Sequence, residues 1–262
     1  MTDKAKAAAD TLVEDLAEGT LISHLIELRD RLLKMFGAII VLFIVLVPFR
    51  GEIFTMVSEP LIDVLPEGQM IATDVASTFL TPVKMAFFTA LFLAMPVVLY
   101  QLWAFIAPGL YKKEKNFAFP LLASSIVLFY LGIAFAYYII FPLVFKFFVA
   151  EAPANVIAQT DIAKFLDFII TIVFAFGLAF EVPIATVLVV WTGLTTPAKL
   201  TSARPYVFLG AFVIGMFLTP PDFISQTLLA VPMYVLFELG IVMSKVFNIR
   251  KEEPEEEAAA SE

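Results

Sequence analysis

The feature of this sequence that most constrains its fold is a series of six apolar runs, each long or nearly long enough to cross a lipid bilayer. The hydrocarbon core of a bilayer is about 30 Å thick, so a membrane-spanning helix needs about 20 mainly apolar residues. The composition agrees, because 61% hydrophobic and 16% charged residues are unusual for a soluble globular domain. The sequence therefore predicts an all-α, polytopic membrane protein with six transmembrane helices, at roughly 32–49, 85–107, 117–149, 165–191, 206–219 and 227–247.

The six runs differ in length, and four prolines lie well inside them. The third and fourth runs exceed the length that a span requires, which predicts tilted or projecting helices. We expect the fifth and sixth helices to be short. Pro96, Pro142, Pro183 and Pro232 each remove a backbone donor and favour a kink. The expected architecture is thus a bent, concave bundle.

Basic residues indicate how the chain is oriented, because cytoplasmic connections of membrane proteins carry an excess of Lys and Arg. With the six runs laid out as successive crossings, 13 of the 17 basic residues fall on the side that holds both termini. We therefore expect both termini in the cytoplasm, with a cytoplasmic tail at 1–20, a membrane domain at 21–249 and an acidic disordered cytoplasmic tail at 250–262. The connections 50–84 and 150–164 then face outward, and their turn residues predict a short ordered cap.

Charge and residue usage exclude several classes of function. The formal net charge is −8, but six of the 25 acidic residues lie after Lys251, so the charge indicates a solvated tail and no nucleic-acid partner. Cysteine is absent and His24 is the only histidine, which leaves no metal site of the usual kinds. Neither a phosphate-binding loop nor a G-x-S-x-G motif occurs. We therefore expect a protein that is not an enzyme and that has no cofactor.

The stretch 21–33, LISHLIELRDRLL, combines charge and hydrophobicity directly before the first apolar run. On a helix, Glu27, Arg31 and Lys34 lie on one polar face, and Glu27 four residues before Arg31 is the favourable order for an ion pair. Arg29 lies among the apolar residues and must reach water or find a partner oxygen. Two interpretations stay open. The stretch is either an amphipathic lead-in with ordinary surface ion pairs or a surface that binds a ligand.

Two polar residues within or beside the later runs are further candidates. Glu181 lies well inside the fourth run, immediately before Val182 and Pro183, and an ionisable group inside a membrane costs about 2.5–3.5 kcal/mol on insertion scales. It is either a functional carboxyl group or a protonated one that is hydrogen-bonded to a neighbouring helix. Gln226 follows the turn between the fifth and sixth helices, where its amide could bond a partner helix.

Six motifs, taken together and in order, resemble the signature of a known family. They are H-L-I-E-L-R-D-R-L at 24–32, M-I-A-T-D-V-A-S at 70–77, W-A-F-I-A-P-G-L-Y at 103–111, F-E-V-P at 180–183, R-P-Y at 204–206 and L-T-P-P-D at 218–222. This pattern is similar to the TatC family, the multispanning component of the twin-arginine protein translocation pathway. The resemblance covers nearly the whole chain, and six ordered motifs are far more specific than one.

The resemblance implies a function in protein transport. It implies a receptor for twin-arginine signal peptides, which recognises folded precursor proteins at the cytoplasmic face of the bacterial inner membrane. It also implies assembly with the single-span proteins TatA and TatB and with other copies of the same chain, within the lipid bilayer. Transport would be driven by the proton-motive force.

The resemblance also implies roles for particular residues. Glu27 and Glu114 would bind the two arginines, since a carboxylate accepts a planar guanidinium through two parallel bonds. Leu28, Arg29 and Phe105 would shape that signal-peptide site. In the membrane region, the polar contacts would be Glu181, inside the concave face, and Gln226, against a partner helix.

A function of another class competes with this one. The chain could be a secondary transporter or ion channel that uses Glu181 as an intramembrane proton or cation site. Such proteins are built from repeats with broken helices and a binding site near the midplane. The two halves of this sequence show no convincing repeat, because the third and fourth runs are long and the fifth is short.

Overall fold

The computed structural model of the protein describes residues 2–62, 70–106, 115–151, 160–219 and 223–259. These residues are almost entirely helical, which confirms the all-α prediction, and a single parallel β-bridge joins Ile71 and Asp161. A 3₁₀ turn at Val47–Phe49 follows the first helix, and a π-helical turn occurs at Ala136–Ile140. The helices are α1 (Thr2–Leu46), α2 (Arg50–Ile62), α3 (Ser77–Ile106), α4 (Lys115–Phe135), α5 (Phe141–Ala150), α6 (Ile162–Ala179), α7 (Val182–Trp191), α8 (Pro197–Ser202), α9 (Arg204–Leu218) and α10 (Phe223–Ala259).

Five helical runs in the described residues are long and apolar enough to cross a membrane, and α9 is a shorter apolar helix. The 15 residues of α9 extend about 22 Å, less than the hydrocarbon core, so the short fifth helix is confirmed. That α9 makes a sixth crossing stays a prediction. The five longer runs are Ile22–Glu59, Ser77–Phe105, Phe119–Ala150, Ile162–Trp191 and Phe223–Val246.

The sixth helix is the shortest of the five longer runs, but it is long enough to cross a membrane and starts earlier than predicted. Its apolar run has 24 residues and begins at Phe223. The sequence predicted its start at Thr227, but Gln226 before it donates to the carbonyl of Phe212, and Thr227 donates to that of Phe223. Their polar groups are thus satisfied inside the helix pair, and the helix can include them.

The helices are interrupted at two of the four prolines. Pro142 follows the π-helical turn, and Pro183 follows a break at Phe180 and Glu181 that separates α6 from α7. Pro96 and Pro232 lie inside continuous helices. A proline removes one backbone hydrogen bond, and neighbouring helices in a membrane can tolerate that loss without a break.

Helices α1 and α3 pack against each other in opposite directions. Arg31 near the start of the membrane part of α1 reaches Ala104 at the end of α3, and the rings of Phe43 and Phe87 lie 5.6 Å apart further along. The reverse order of these contacts shows that the pair is antiparallel. The polar beginning of α1 and the end of α3 therefore meet at one face of the bundle.

Helices α4 and α6 approach more closely than side chains would normally allow. A Cβ atom on Gly132 would lie 2.6 Å from the carbonyl oxygen of Phe176, and one on Gly177 would lie 2.7 Å from the ring of Phe129. Small residues let helix backbones approach in membranes, where contact between side chains drives association. These two glycines place α6 in the middle of the bundle.

The connections on the opposite face are joined in a short cap, as the sequence predicts. Ile71 exchanges backbone hydrogen bonds of 3.0 and 2.9 Å with the chain on either side of Asp161. The Asp161 carboxylate accepts from the backbone and hydroxyl of Thr73, at 2.9 and 2.6 Å, and it caps α6 through the amides of Ala163 and Lys164. These donors lower the pKa of Asp161 to about 2.

The helical bounds of α1 and α10 extend into the expected terminal tails. The division of the chain into tails at 1–20 and 250–262 and a membrane domain between them stays a prediction.

Candidate functional site

The first candidate site lies at the corner where α1 meets the end of α3. The favourable order of Glu27 and Arg31 on α1 forms the predicted ion pair: Nε and Nη2 of Arg31 both donate to Oε1 of Glu27, at 3.0 and 2.5 Å. The side chain of Glu27 is 37% exposed, whereas that of Arg31 is 18% exposed. The carboxylate thus reaches the surface, and its arginine partner lies beneath it.

Arg31 also joins α1 to α3. Its Nη2 donates to the carbonyl oxygen of Ala104 at 2.9 Å, and its Nη1 makes a longer bond of 3.4 Å to Oε1 of the buried Gln101. A planar guanidinium presents its donors in a fixed arrangement, so these bonds orient the Glu27 carboxylate relative to both helices.

The other described residues that were predicted for this site differ in their exposure and in their contacts. Phe105 is partly buried, and its ring lies 4.6 Å from that of His24 on α1. Leu28 is at the surface, 36% exposed. Arg29 meets the expectation that it needs a partner, because Nε and Nη2 bond Oδ1 of Asp30 at 3.0 and 2.8 Å. Its side chain is exposed and points away from the contact between Arg31 and α3.

Glu114 lies outside the described residues. It directly precedes Lys115, the first residue of α4. Its role as the second carboxylate of the site therefore stays a prediction.

The second candidate site surrounds Glu181, at the break between α6 and α7. Ser125 on α4, which is fully buried, donates its hydroxyl to Oε2 of Glu181. The other oxygen, Oε1, is buried and has no hydrogen-bond partner in the described part of the chain. The bond from Ser125 is the hydrogen bond to a neighbouring helix that one interpretation of Glu181 expects. The open oxygen is compatible with the other interpretation, in which the carboxyl group is functional.

Gln226 lies in the hairpin of α9 and α10. Its Nε2 donates to the carbonyl oxygen of Phe212 at 2.6 Å, and a Cβ atom on Gly215 would lie 3.2 Å from its Cγ. The amide nitrogen is therefore engaged within the chain. A contact of Gln226 with a partner helix stays a prediction.

The same hairpin carries an ion pair at its other end. Arg204 donates through Nη2 to Oε2 of Glu238 at 2.6 Å, and the hydroxyl of Tyr234 donates to Oε1 at 2.8 Å. Because Arg204 begins α9 and Glu238 lies far along α10, these bonds hold the two helices antiparallel. Their arrangement serves the packing of the hairpin.

Sequence reasoning missed three contacts that define these sites. Periodicity paired Arg31 with Glu27, but no pattern indicated that Gln101 and Ala104 would complete its coordination. Nor did any pattern distinguish Ser125 from its neighbour Ser124 as the partner of Glu181. Among the described residues, no group of three or more His, Asp or Glu side chains is arranged to hold a metal ion. The chemistry that these sites offer is hydrogen bonding by carboxylates.

Comparisons with known proteins agree with this arrangement. Residues 23–232 match the family model described as the Sec-independent protein translocase protein (TatC). The TatC protein of Escherichia coli (strain K12) is 56% identical over 228 residues, which are 87% of this chain and 88% of that protein. The TatC protein of Aquifex aeolicus (strain VF5) is 35% identical over 89% of this chain and 98% of its own length.

A solved structure shares the fold. The crystal structure of a twin-arginine translocase receptor, TatC, superposes with a TM-score of 0.77 at 35% identity, over 85% of this chain and 98% of that chain. These proteins are components of a protein translocase, and they are not enzymes. The chain, with its several apolar spans, is thus a multi-pass membrane protein that belongs to the TatC family of Sec-independent protein translocase proteins.

Proposed function

We propose that this chain binds twin-arginine signal peptides of folded precursor proteins at the cytoplasmic face of the bacterial inner membrane. The observation that carries the proposal is the position of Glu27. Its carboxylate is partly exposed at the corner of α1 and α3, and Arg31 holds it there. A fixed, accessible carboxylate suits a guanidinium ligand.

The second arginine of the peptide would bind Glu114. The end of α3 lies beside Arg31, so the connection that follows α3 starts at the same face as Glu27. Two carboxylates held apart on the ends of different helices could each accept one guanidinium. This arrangement would suit a peptide that carries two consecutive arginines.

Apolar surface beside the carboxylates would accept the hydrophobic residue that follows the arginine pair. Phe105 and Leu28 supply that surface, and the contact between Phe105 and His24 limits the motion of the ring. Arg29, which pairs with Asp30, would set the charge at the edge of the site. These roles follow the family resemblance and are supported by the nearness of the residues to Glu27.

The receptor would work as part of an assembly. TatA and TatB, both single-span proteins, and further copies of this chain are its proposed partners, and the proton-motive force is the proposed energy source. Glu181, whose Oε1 has no hydrogen-bond partner among the described residues, would accept a polar group from a partner, and Gln226 would contact a partner helix beside α9. Both termini would lie in the cytoplasm, since 13 of the 17 basic residues would then be inside.

The alternative function, a transporter or channel that uses Glu181, has less support. The unpartnered oxygen of Glu181 suits a proton or cation site, but the family to which the chain belongs is one of protein translocase components. We therefore propose the receptor.

Binding of a fluorescent signal peptide to the purified full-length chain tests the proposal. We expect a peptide with two arginines to bind at least about tenfold more tightly than its twin-lysine counterpart, because lysine keeps the charge but cannot form two parallel bonds. Glu27→Ala and Glu114→Ala should each remove most of that preference. Glu52→Ala, which removes an exposed carboxylate from α2 at the other end of the membrane span, is the matched control and should change nothing.

Equal binding of the two peptides would contradict the proposal, and so would an Arg preference that survives both substitutions. The first result would make the corner a general cation-binding surface. The second would place the peptide elsewhere on the chain.

A further inference from the structure

We infer that Arg31 is a positioning residue for signal-peptide binding: it holds Glu27 by one carboxylate oxygen and leaves the other oxygen for the peptide. The inference rests on the proposed function and deepens it, because it makes the contact of Arg31 with Glu27 a measurable part of peptide binding. It follows from the geometry at the corner of α1 and α3.

The first step is that the two carboxylate oxygens of Glu27 have different partners. Both bonds from Arg31 to Glu27 end on Oε1. In the part of the chain that the structure describes, no group donates to Oε2. A carboxylate has about four lone-pair positions, two on each oxygen, so Oε2 retains its full capacity for a guanidinium from outside.

The second step is the attachment of Arg31 to α3. The bonds to Ala104 and Gln101 fix the guanidinium on a helix other than the one that carries it. Only 11% of the most apolar part of the run Ile22–Glu59 is buried within the chain, so most of α1 faces outward and only one side of it contacts the rest of the bundle. Without these bonds, the Glu27 side chain would sample several rotamers, and ordering it would cost free energy when the peptide binds.

A neighbouring arginine shows that this is a special position. Among the residues that the structure describes, Arg29 bonds only Asp30, the next residue in the chain, and its side chain is 67% exposed. It cannot set the position of α1 relative to α3. Of the two arginines in this stretch, Arg31 is the one that connects the helices.

The charge of Arg31 makes it possible to distinguish a residue that positions Glu27 from one that competes with the peptide for Glu27. Arg31 is a cation beside a site for a cationic peptide, so removal of its charge should by itself tighten binding. If instead Arg31 positions Glu27, its removal should weaken binding. The sign of the change therefore separates a positioning residue from a competitor that the peptide must displace.

The experiment uses the full-length protein in nanodiscs and the twin-arginine and twin-lysine peptides. We expect Arg31→Gln to weaken binding of the twin-arginine peptide about tenfold and to reduce the ratio of the two affinities. Arg31→Lys keeps the charge but loses the planar fork, so it should restore little of the ratio. Lys34→Gln is the matched control, because it removes an exposed cation one turn further along α1; binding should stay the same or become slightly tighter.

Unchanged or tighter binding by Arg31→Gln would overturn the inference and leave the proposed function intact, provided that Glu27→Ala still abolishes the Arg preference. Loss of the preference in the unmodified chain would overturn the proposed function, and the inference with it. The two failures are thus distinguishable.

A structural measurement adds a test that does not depend on the peptide. The chain has no cysteine, so spin labels can be attached at Leu25→Cys on α1 and Leu102→Cys on α3, two exposed positions. Arg31→Gln should broaden the distribution of distances between the labels, and Lys34→Gln should not. A distribution that stays narrow in Arg31→Gln would overturn the inference, because the corner would then be held by other contacts.

Discussion

The first membrane run and the run formed by α6 and α7 are both apolar and of membrane length, but they are held in different ways. Only 11% of the most apolar window of Ile22–Glu59 is buried within the chain, compared with 50% of that of Ile162–Trp191. Near its start, the peripheral run is joined to α3 by hydrogen bonds from Arg31. The central run is fixed by close packing at Gly132 and Gly177.

The comparison shows how position is set in a lipid environment. Apolar side chains gain little by leaving lipid, so hydrophobicity alone does not dock one helix on another. A peripheral helix packs along one side only, and directed bonds such as those from Arg31 add to that contact, where a ligand can use or alter them. A central helix depends on contact between backbones, which tolerates little change. The receptor site that we propose lies on the first kind of helix.

The largest expected effect is on stability, and it comes from a Gly→Ala substitution made at a closely packed glycine and, for comparison, at a glycine of the peripheral run. Gly132→Ala would place a methyl group 2.6 Å from the carbonyl oxygen of Phe176, so we expect a loss of about 1–3 kcal/mol of stability. Gly37→Ala on α1 meets no atom within 4 Å, and we expect a change of about 1 kcal/mol at most, in the stabilising direction. Unfolding in increasing SDS, followed by circular dichroism, measures both. Equal losses would mean that the two helices are packed alike.

A smaller effect is expected at the polar contact within the central run. Ser125→Ala removes the hydroxyl that donates to Glu181, and a double-mutant cycle with Glu181→Ala should give a coupling free energy of about 0.6–1.7 kcal/mol. Ser124→Ala is the matched control, since that hydroxyl bonds the carbonyl of Pro120 in its own helix. Coupling of Glu181 with Ser124 instead of Ser125 would contradict the placement of Glu181.

The smallest effect is expected at the start of the central run, where Asp161 caps α6. Its pKa is about 2 in the folded protein, below the unfolded value of about 3.9, so the folded state favours the charged form. The stabilising contribution is therefore complete above about pH 4 and is lost as the pH falls towards 2. Thermal unfolding between pH 6 and 2 should show this loss in the unmodified chain.

Two variants check the assignment to Asp161. Asp161→Asn should remove this part of the pH dependence. Thr73→Val, which lacks the hydroxyl donor, should move the loss towards higher pH, because the carboxylate is then less favoured. An unchanged pH profile in both variants would mean that another carboxylate is responsible.

Much of the fold could be predicted because it depends on local features of the chain. The apolar runs predicted the helices, the shortness of α9 was visible in its run, and Pro183 coincides with the break after α6. The start of the sixth helix was predicted four residues late, at Thr227, because Gln226 was read as part of the turn before it. The bond from Gln226 to the carbonyl of Phe212, which no periodicity reveals, lets α10 include it.

The candidate sites could be predicted in part. Spacing along one helix gave the pair of Glu27 and Arg31, and hydropathy identified Glu181 as a costly residue. Their partners on other helices, Gln101 and Ser125, could not be identified. Several serines, and several positions of one helix along another, are equally compatible with the sequence. The hydrophobic period of a helix shows which face packs, but it does not show how far along a neighbouring helix it packs.

By itself, the sequence determined the helices, their apolar character, the expected orientation and the family, since all of these depend on residues close together in the chain or on ordered motifs. Only the tertiary structure decided which helix Arg31 would join, which serine would bond Glu181, and that Ile71 would meet Asp161. These contacts join residues that lie 56 to 90 positions apart. The bond from Ser125 to Glu181 lies beside the close approach of α4 and α6 at Gly132, and all three contacts exist only once the helices are packed.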